Sequence, residues 1–186
     1  MQARYLPNLI TALRVLLVAP ILWCVLREYY AAAALLFLVA GLSDALDGWL
    51  AKRFDWGSWL GGVLDPLADK LLLVGMFLVL GWQGDLPVWL VALVIARDLI
   101  IVIGAIAYYF IVAPFTAAPL LISKLNTLVQ LLLILAVVAS KSLIVLPTGV
   151  ISALIALTTV TVAISGGAYV WGWSQRALDQ RKSKNV

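Results

Sequence analysis

The chain has 186 residues, of which 65% are hydrophobic and 12% charged, and its mean hydropathy is +1.09, so a soluble domain of this length could not hide its apolar surface. Histidine is absent, which excludes a histidine base, nucleophile or metal ligand, and the single cysteine, Cys24, excludes an internal disulfide. The net charge of +4 comes mainly from the ends and one loop, which favours membrane orientation over nucleic-acid binding.

Apolar runs of about 20 residues, the length that a bilayer-spanning helix needs, predict six transmembrane helices, and nothing alternates with the period of a strand. We expect these helices at about 7–26, 30–53, 59–82, 88–112, 120–139 and 149–173. The sequence thus predicts an all-α integral membrane protein with one domain, 1–186, in which residues 174–186 form a mobile, basic cytoplasmic tail. The first helix lacks a small-residue cleavage pattern, so we expect it to be retained.

Basic residues are distributed unequally between the two ends of the predicted helices. Six spans place both termini on one side, together with most of the charge: Arg4, Lys52, Arg53, Arg176, Arg181, Lys182 and Lys184. The opposite side has Arg27 and Lys141. The positive-inside rule therefore predicts that the termini and the 52–58 connection face the cytoplasm or the mitochondrial matrix.

Polar residues interrupt the first helix at helical spacing. Asn8, Thr11 and Arg14 follow one another at three-residue intervals and share one face. Two interpretations of Arg14 stay open, namely a side chain that reaches the membrane interface and a contact near a bound substrate.

The strongest feature lies in helices two and three. Asp44 and Asp47 share one helical face, and Gly61, Asp65 and Asp69 recur at intervals of four. The polar connection between the helices is long enough to reverse the chain, so two antiparallel helices would aim four carboxylates at one point. Carboxylates this close repel one another unless cations neutralise them, and hard oxygen ligands suit Mg²⁺ or Mn²⁺.

The alternative for the four aspartates is an ion-pair cluster with Lys52, Arg53 and Lys70. Acidic residues within a membrane span cost about 2.5–3.5 kcal/mol each and are functional by default, and the bases are too few for full pairing. A protein of another class, a small cation transporter, would spread its carboxylates along a route or repeat them between halves. Here they converge in one motif.

Helices four and five carry a second polar set. Arg97 and Asp98 lie about ten residues into helix four, and adjacent residues do not share a helix face, so this pair is expected to be poorly placed for mutual neutralisation. Helix five carries Lys124, Asn126, Thr127 and Gln130. These groups either tie helices together or line an acceptor pocket beside the metals.

The aspartate motif resembles the signature of the CDP-alcohol phosphatidyltransferases. Every spacing is kept, and one position departs, since Lys52 stands where the family usually has arginine. The resemblance implies that family's fold, a homodimer, and two divalent cations, Mg²⁺ or Mn²⁺, held by Asp44, Asp47, Asp65 and Asp69. It also implies that Asp69 is the catalytic base and that the following residues contact a CDP-linked lipid: Gly48, Ala51, Lys52, Gly61, Asn8 and Thr11.

The acceptor is inferred from two later segments. The P-N-L-I-T-A-L-R and D-P-L-A-D-K segments resemble both phosphatidylglycerophosphate synthases and CMP-forming cardiolipin synthases. Helix four has no second arginine, and Asn126 stands where a second lysine is usual in enzymes that use glycerol 3-phosphate. The resemblance therefore favours phosphatidylglycerol as acceptor, with glycerol 3-phosphate as the alternative, and predicts Arg97, Lys124, Asn126 and Thr127 as acceptor contacts.

Overall fold

The described part of the chain is entirely helical apart from its connections. The computed structural model describes the backbone of residues 6–54, 59–111 and 121–184, and the side chains of 12–43, 53, 68–105, 121–147, 149–172 and 175. These residues form six α-helices, α1 (Leu6–Leu26), α2 (Tyr30–Phe54), α3 (Trp59–Trp82), α4 (Val88–Ile111), α5 (Leu121–Ser140) and α6 (Thr148–Lys184). The predicted number and order of the helices are confirmed, and the prediction that all six span a membrane stays a prediction.

The C-terminal boundary of α6 differs from the prediction. The helix was expected to end near residue 173, whereas its backbone continues to Lys184. The segment after Trp173 contains alanine, leucine, glutamine, arginine and lysine, which are good helix formers, and no glycine or proline. Polarity was therefore a poor reason to expect a mobile tail, because a helix can continue in water after it leaves an apolar layer.

Two helices end in the same local motif. After α1, the amide of Glu28 donates to the carbonyl of Val25 and that of Tyr29 to Cys24, with Glu28 at a φ of 61°. After α3, the amide of Asp85 donates to the carbonyl of Leu80, and Gly84 has a φ of 79°. Both are Schellman motifs, in which one left-handed residue satisfies the last helical carbonyls.

By its internal contacts the chain divides into two compact units, and the prediction of a single domain stays a prediction. The first unit comprises residues 1–87 and 134–147, and in it α1 packs against α2 and α3. Its core consists of fully or nearly fully buried side chains, among them Ile21, Val25, Phe37, Met76, Phe77 and Leu80.

Three contacts between α1 and α3 show that these two helices run parallel and close together. Arg14 contacts Asp69, Leu22 contacts Gly75, and the side-chain amide of Gln83 donates to the carbonyl of Val25 at 2.9 Å. A Cβ at position 75 would lie 2.9 Å from Cδ1 of Leu22, so glycine permits this approach. The three contacts thus run from the middle of both helices to their C-terminal ends.

The second unit comprises residues 88–133 and 148–186, and in it α4 packs against α6. Leu90, Val91 and Val94 of α4 and Val162 of α6 are buried, and the side chain of Arg97 lies 3.5 Å from the position of a Cβ at Gly166. The interior also contains polar side chains, described below.

The outer faces of the helices are strongly apolar. Exposed side chains include Leu16, Leu35, Leu78, Ile103, Leu128 and Ile164. Within the described residues, three helical segments are long and apolar enough to cross a bilayer, Val88–Ala105, Leu121–Ser140 and Gly149–Gly172, and Ala12–Leu26 and Tyr30–Ser43 are shorter apolar helices. Apolar surface of this extent belongs in lipid, so the chain is a membrane protein.

Candidate active site

Helices α2 and α3 carry the predicted aspartate motif. Asp44 and Asp47 belong to α2, and Asp65 and Asp69 belong to α3. Apart from Asp69, the side chains of this motif lie outside the described residues, as do those of Asn8 and Thr11. Among the side chains that are described, no group of three or more potential metal ligands comes together. The two-cation site therefore stays a prediction, and the donor set, all carboxylate oxygens, fits a hard divalent cation.

Asp69, the predicted base, forms an ion pair with α1. Nη1 of Arg14 lies 3.1 Å from Oδ1 of Asp69. The Arg14 side chain is 1% exposed, whereas that of Asp69 is 40% exposed. Arg14 therefore does not extend to the membrane interface, and that interpretation is wrong. Buried Arg14 thus holds one oxygen of a carboxylate that is partly exposed.

Arg97 lies at the centre of the polar interior of the second unit. Its Nη1 donates to Oδ1 of Asp98 at 2.7 Å, and its Nη2 donates to the hydroxyls of Ser123 in α5 and Ser165 in α6 at 2.7 and 2.5 Å. The expectation that adjacent Arg97 and Asp98 are poorly placed to neutralise each other is wrong. The arginine side chain is long enough to turn back towards the neighbouring carboxylate, although the two Cβ atoms point in different directions.

The other predicted acceptor residues lie on α5 in different environments. Asn126 is fully buried, and its Oδ1 accepts a hydrogen bond from Thr161 of α6 at 3.1 Å. Thr127 donates to the backbone carbonyl of Ser123 at 3.2 Å, and Lys124 is exposed. Arg97 is thus hydrogen-bonded to α5 and α6 through Ser123 and Ser165, whereas Lys124 lies on an exposed face of α5.

A polar ladder connects α5 and α6. In its first pair, Ser123 of α5 and Ser165 of α6 both accept hydrogen bonds from Arg97. In its second pair, Asn126 of α5 accepts a hydrogen bond from Thr161 of α6. Residue numbers rise along α5 as they fall along α6, as expected for antiparallel helices. Gln130 and Thr158 follow about one turn further along α5 and α6, and both are buried.

The ladder retains unused hydrogen-bonding capacity. Arg97 Nε, Asn126 Nδ2, Gln130 Nε2 and Thr158 Oγ1 are buried and have no hydrogen-bond partner among the described residues. Buried polar atoms of this kind in native proteins are usually matched by water or by a ligand. The α6 members were not predicted from the sequence. Their signal is the recurrence of Thr158, Thr161 and Ser165 on one face of an otherwise apolar helix.

The chain is similar to known proteins over most of its length. The model of the CDP-alcohol phosphatidyltransferase family matches residues 4–165. A cardiolipin synthase (CMP-forming) / mitochondrial hydrolase fusion protein of Schizosaccharomyces pombe is 39% identical over 144 residues, covering 69% of this chain and 24% of that protein. The cardiolipin synthase (CMP-forming) of Rattus norvegicus is 36% identical over 152 residues, covering 73% of this chain and 50% of the rat protein.

A relative with a different acceptor is similar to nearly the same degree. The CDP-diacylglycerol–glycerol-3-phosphate 3-phosphatidyltransferase of Aquifex aeolicus is 34% identical over 135 residues, covering 70% of this chain and 74% of that protein. The chain spans half or less of the length of the two cardiolipin synthase relatives. Sequence identities this similar do not show whether the chain is nearer to the cardiolipin synthases or to the glycerol-3-phosphate phosphatidyltransferases.

Proposed function

Because this chain belongs to the CDP-alcohol phosphatidyltransferases, a family of enzymes, we propose that it transfers a phosphatidyl group from CDP-diacylglycerol to a glycerol-containing acceptor and releases CMP. The observation that carries the proposal is the complete aspartate motif on α2 and α3, inside a family match that covers residues 4–165. Membership in an enzyme family also argues against the alternative of a small cation transporter.

The proposed reaction is an in-line displacement. The acceptor hydroxyl attacks the β-phosphorus of CDP-diacylglycerol, the bond from that phosphorus to the bridging oxygen breaks, and CMP leaves with the electron pair. Asp69 accepts the hydroxyl proton, because carboxylates must do the acid–base work in a chain without histidine. Two divalent cations, Mg²⁺ or Mn²⁺ on Asp44, Asp47, Asp65 and Asp69, would supply charge neutralisation at the pyrophosphate when bound.

The remaining motif residues are proposed to hold the CDP-lipid. Gly48 and Gly61 permit close approach of the backbone to the nucleotide, and Lys52 meets its phosphates as a point charge. Ala51, Asn8 and Thr11 complete this set by resemblance to the family. The site would face the cytoplasmic or matrix side, with six spans and a homodimeric assembly.

Phosphatidylglycerol is the acceptor that we favour, which makes the product cardiolipin. Oδ1 of Asp98 lies 2.7 Å from Arg97, so the one arginine that α4 offers is already paired with an anion. A phosphomonoester such as glycerol 3-phosphate carries nearly two negative charges and needs more basic donors than a phosphodiester does. The paired Arg97 and the neutral Asn126 therefore favour the diester acceptor, with Arg97, Lys124, Asn126 and Thr127 as its contacts.

The test measures CMP release and the lipid product separately. Purified protein with CDP-diacylglycerol, Mg²⁺ and phosphatidylglycerol is expected to yield cardiolipin and CMP. Glycerol 3-phosphate replaces phosphatidylglycerol in a parallel reaction. Product from glycerol 3-phosphate alone would assign the phosphatidylglycerophosphate synthase reaction instead, and no CMP release with either acceptor would contradict both assignments.

A further inference from the structure

The contact between α1 and α3 at Arg14 and Asp69 suggests a role that the aspartate motif alone does not contain. Nη1 of Arg14 lies 3.1 Å from Oδ1 of Asp69, and the two residues are separated by 55 positions in the chain. We infer that Arg14 is a positioning residue: it fixes the orientation of the Asp69 carboxylate that takes the acceptor's proton. The inference rests on the proposed function and on the role proposed there for Asp69.

Arg14 is much more deeply buried than Asp69, so the charge of Arg14 depends on this ion pair more than the charge of Asp69 does. Arg14 is 1% exposed on an apolar helix, where an ionised guanidinium requires a hydrogen-bonded anion. Asp69 is 40% exposed, and its carboxylate has access to partners outside the protein interior. The contact therefore stabilises the buried charge of Arg14, whereas its effect on Asp69 is to fix the orientation of the carboxylate.

Two further contacts join α1 to α3 on the C-terminal side of the ion pair. Leu22 packs on Gly75 about two turns beyond the ion pair, and the side-chain amide of Gln83, just after α3, donates to the carbonyl of Val25 near the end of α1. The distance between the α1 and α3 backbones is thus set independently of the ion pair. Arg14 reaches Asp69 from one helix to another that is packed against it, which is the arrangement that holds a catalytic group in one geometry.

A fixed carboxylate matters because proton transfer requires hydrogen-bond reach to the attacking hydroxyl. Loss of the guanidinium removes one bond that favours the present rotamer of Asp69, and the fraction of enzyme with the base in place is expected to fall. Loss of Arg14 should then reduce turnover of bound substrate more than substrate binding.

The experiment compares Arg14→Met, Arg14→Lys and Gln83→Met, with CMP release measured at saturating Mg²⁺. Methionine removes the charge while filling the buried space, and Gln83→Met removes the other side-chain tie between α1 and α3. We expect Arg14→Met to lower kcat about 10–100-fold, the range for residues that orient a functional ligand. The KM for the CDP-lipid should change less than about threefold, since binding is not the step affected. Lysine should recover part of kcat, and Gln83→Met should retain it.

A double variant separates positioning from general destabilisation. In an Asp69→Asn background, Arg14→Met should lower kcat no further, because the carboxylate that it orients is already absent. An unchanged kcat in Arg14→Met, a loss confined to KM, an equal loss in Gln83→Met, or full additivity with Asp69→Asn would each overturn the inference. Failure of the proposed function would give a different result, because the wild type itself would then release no CMP.

Discussion

Nζ of Lys141 lies 2.5 Å from Oδ1 of Asp85, and this ion pair joins the connection after α5 to the turn after α3. The hydroxyl of Tyr30 also donates to Oδ2 of Asp85 at 3.4 Å, and the ammonium group lies 5.5 Å from the centre of the Tyr30 ring. Asp85 is 8% exposed, so it is a nearly buried anion with two partners. These contacts connect the start of α2, the turn after α3 and the connection after α5, all within the first unit.

The pair predicts a pH dependence of stability. The hydrogen bond to Asp85 raises the pKa of Lys141 above its ordinary value of 10.5. Its stabilisation is therefore fully present below pH 10.5 and is lost as pH rises through the folded-state pKa. Thermal unfolding in detergent between pH 8 and pH 12 should show this loss in the wild type but not in Lys141→Met. Because Lys141 is 42% exposed, Lys141→Met at pH 8 should cost only about 1 kcal/mol. Parallel pH curves for the two proteins would contradict the assignment.

Replacing a carboxylate of the proposed metal site should abolish transfer without unfolding the protein. Asp44→Asn, Asp47→Asn and Asp65→Asn each remove one proposed anionic ligand and should lose activity, whereas Asp55→Asn, at a variable position between the motif residues, is the matched control. Excess EDTA should inactivate the wild type, and added Mg²⁺ or Mn²⁺ should restore it. CMP release measures the effect. Full activity in excess chelator would exclude the two-cation proposal.

Lys52 should be replaceable by arginine but not by alanine. Lys52→Arg restores the residue usual in the family and keeps the positive charge, so activity should be retained. Lys52→Ala should raise the KM for CDP-diacylglycerol about tenfold, the effect of losing one charge-assisted contact of about 1.4 kcal/mol. Arg53→Ala serves as the neighbouring control. If only the Arg53 variant raised KM, the phosphate contact would belong to Arg53.

Glu28→Gly should stabilise the protein. Glu28 is exposed and holds the left-handed position after α1 at a φ of 61°, where a side chain costs about 1 kcal/mol relative to glycine. The variant should therefore unfold at a higher temperature. Gly84→Ala, at the equivalent position after α3, should do the reverse. Destabilisation by both substitutions would mean that the Glu28 side chain makes a stronger contact than its conformation costs.

The polar ladder can be tested with two identical substitutions in one helix. Thr161→Val removes the hydrogen bond to buried Asn126 and should cost about 1–2 kcal/mol. Thr159→Val is the control, because the Thr159 hydroxyl bonds only the carbonyl of Ile155 within the same helix among the contacts described. Thermal unfolding of both variants gives the difference. Equal stabilities would show that the α5–α6 bond contributes nothing.

Hydropathy and helical spacing were enough to predict α1 to α5 to within one or two residues. The role of Asp69 as the base comes from the family resemblance and stays a prediction. Partners separated by many positions were harder to predict. Nothing within α1 indicates that Arg14 meets Asp69, because that contact depends on which faces of α1 and α3 pack together. The ion pair of Arg97 with Asp98 was also missed, since spacing rules describe Cβ directions and a long side chain can turn away from them.

The length of α6 has a practical consequence for reporter and fusion design. Twelve residues separate Gly172, the end of its apolar segment, from Lys184, and as a helix they rise about 18 Å. A fluorescent protein or epitope joined after Lys184 would be separated from the apolar segment by this length of helix. Because each residue adds about 100° of rotation, shortening the linker one residue at a time would turn the attached label stepwise around the helix axis.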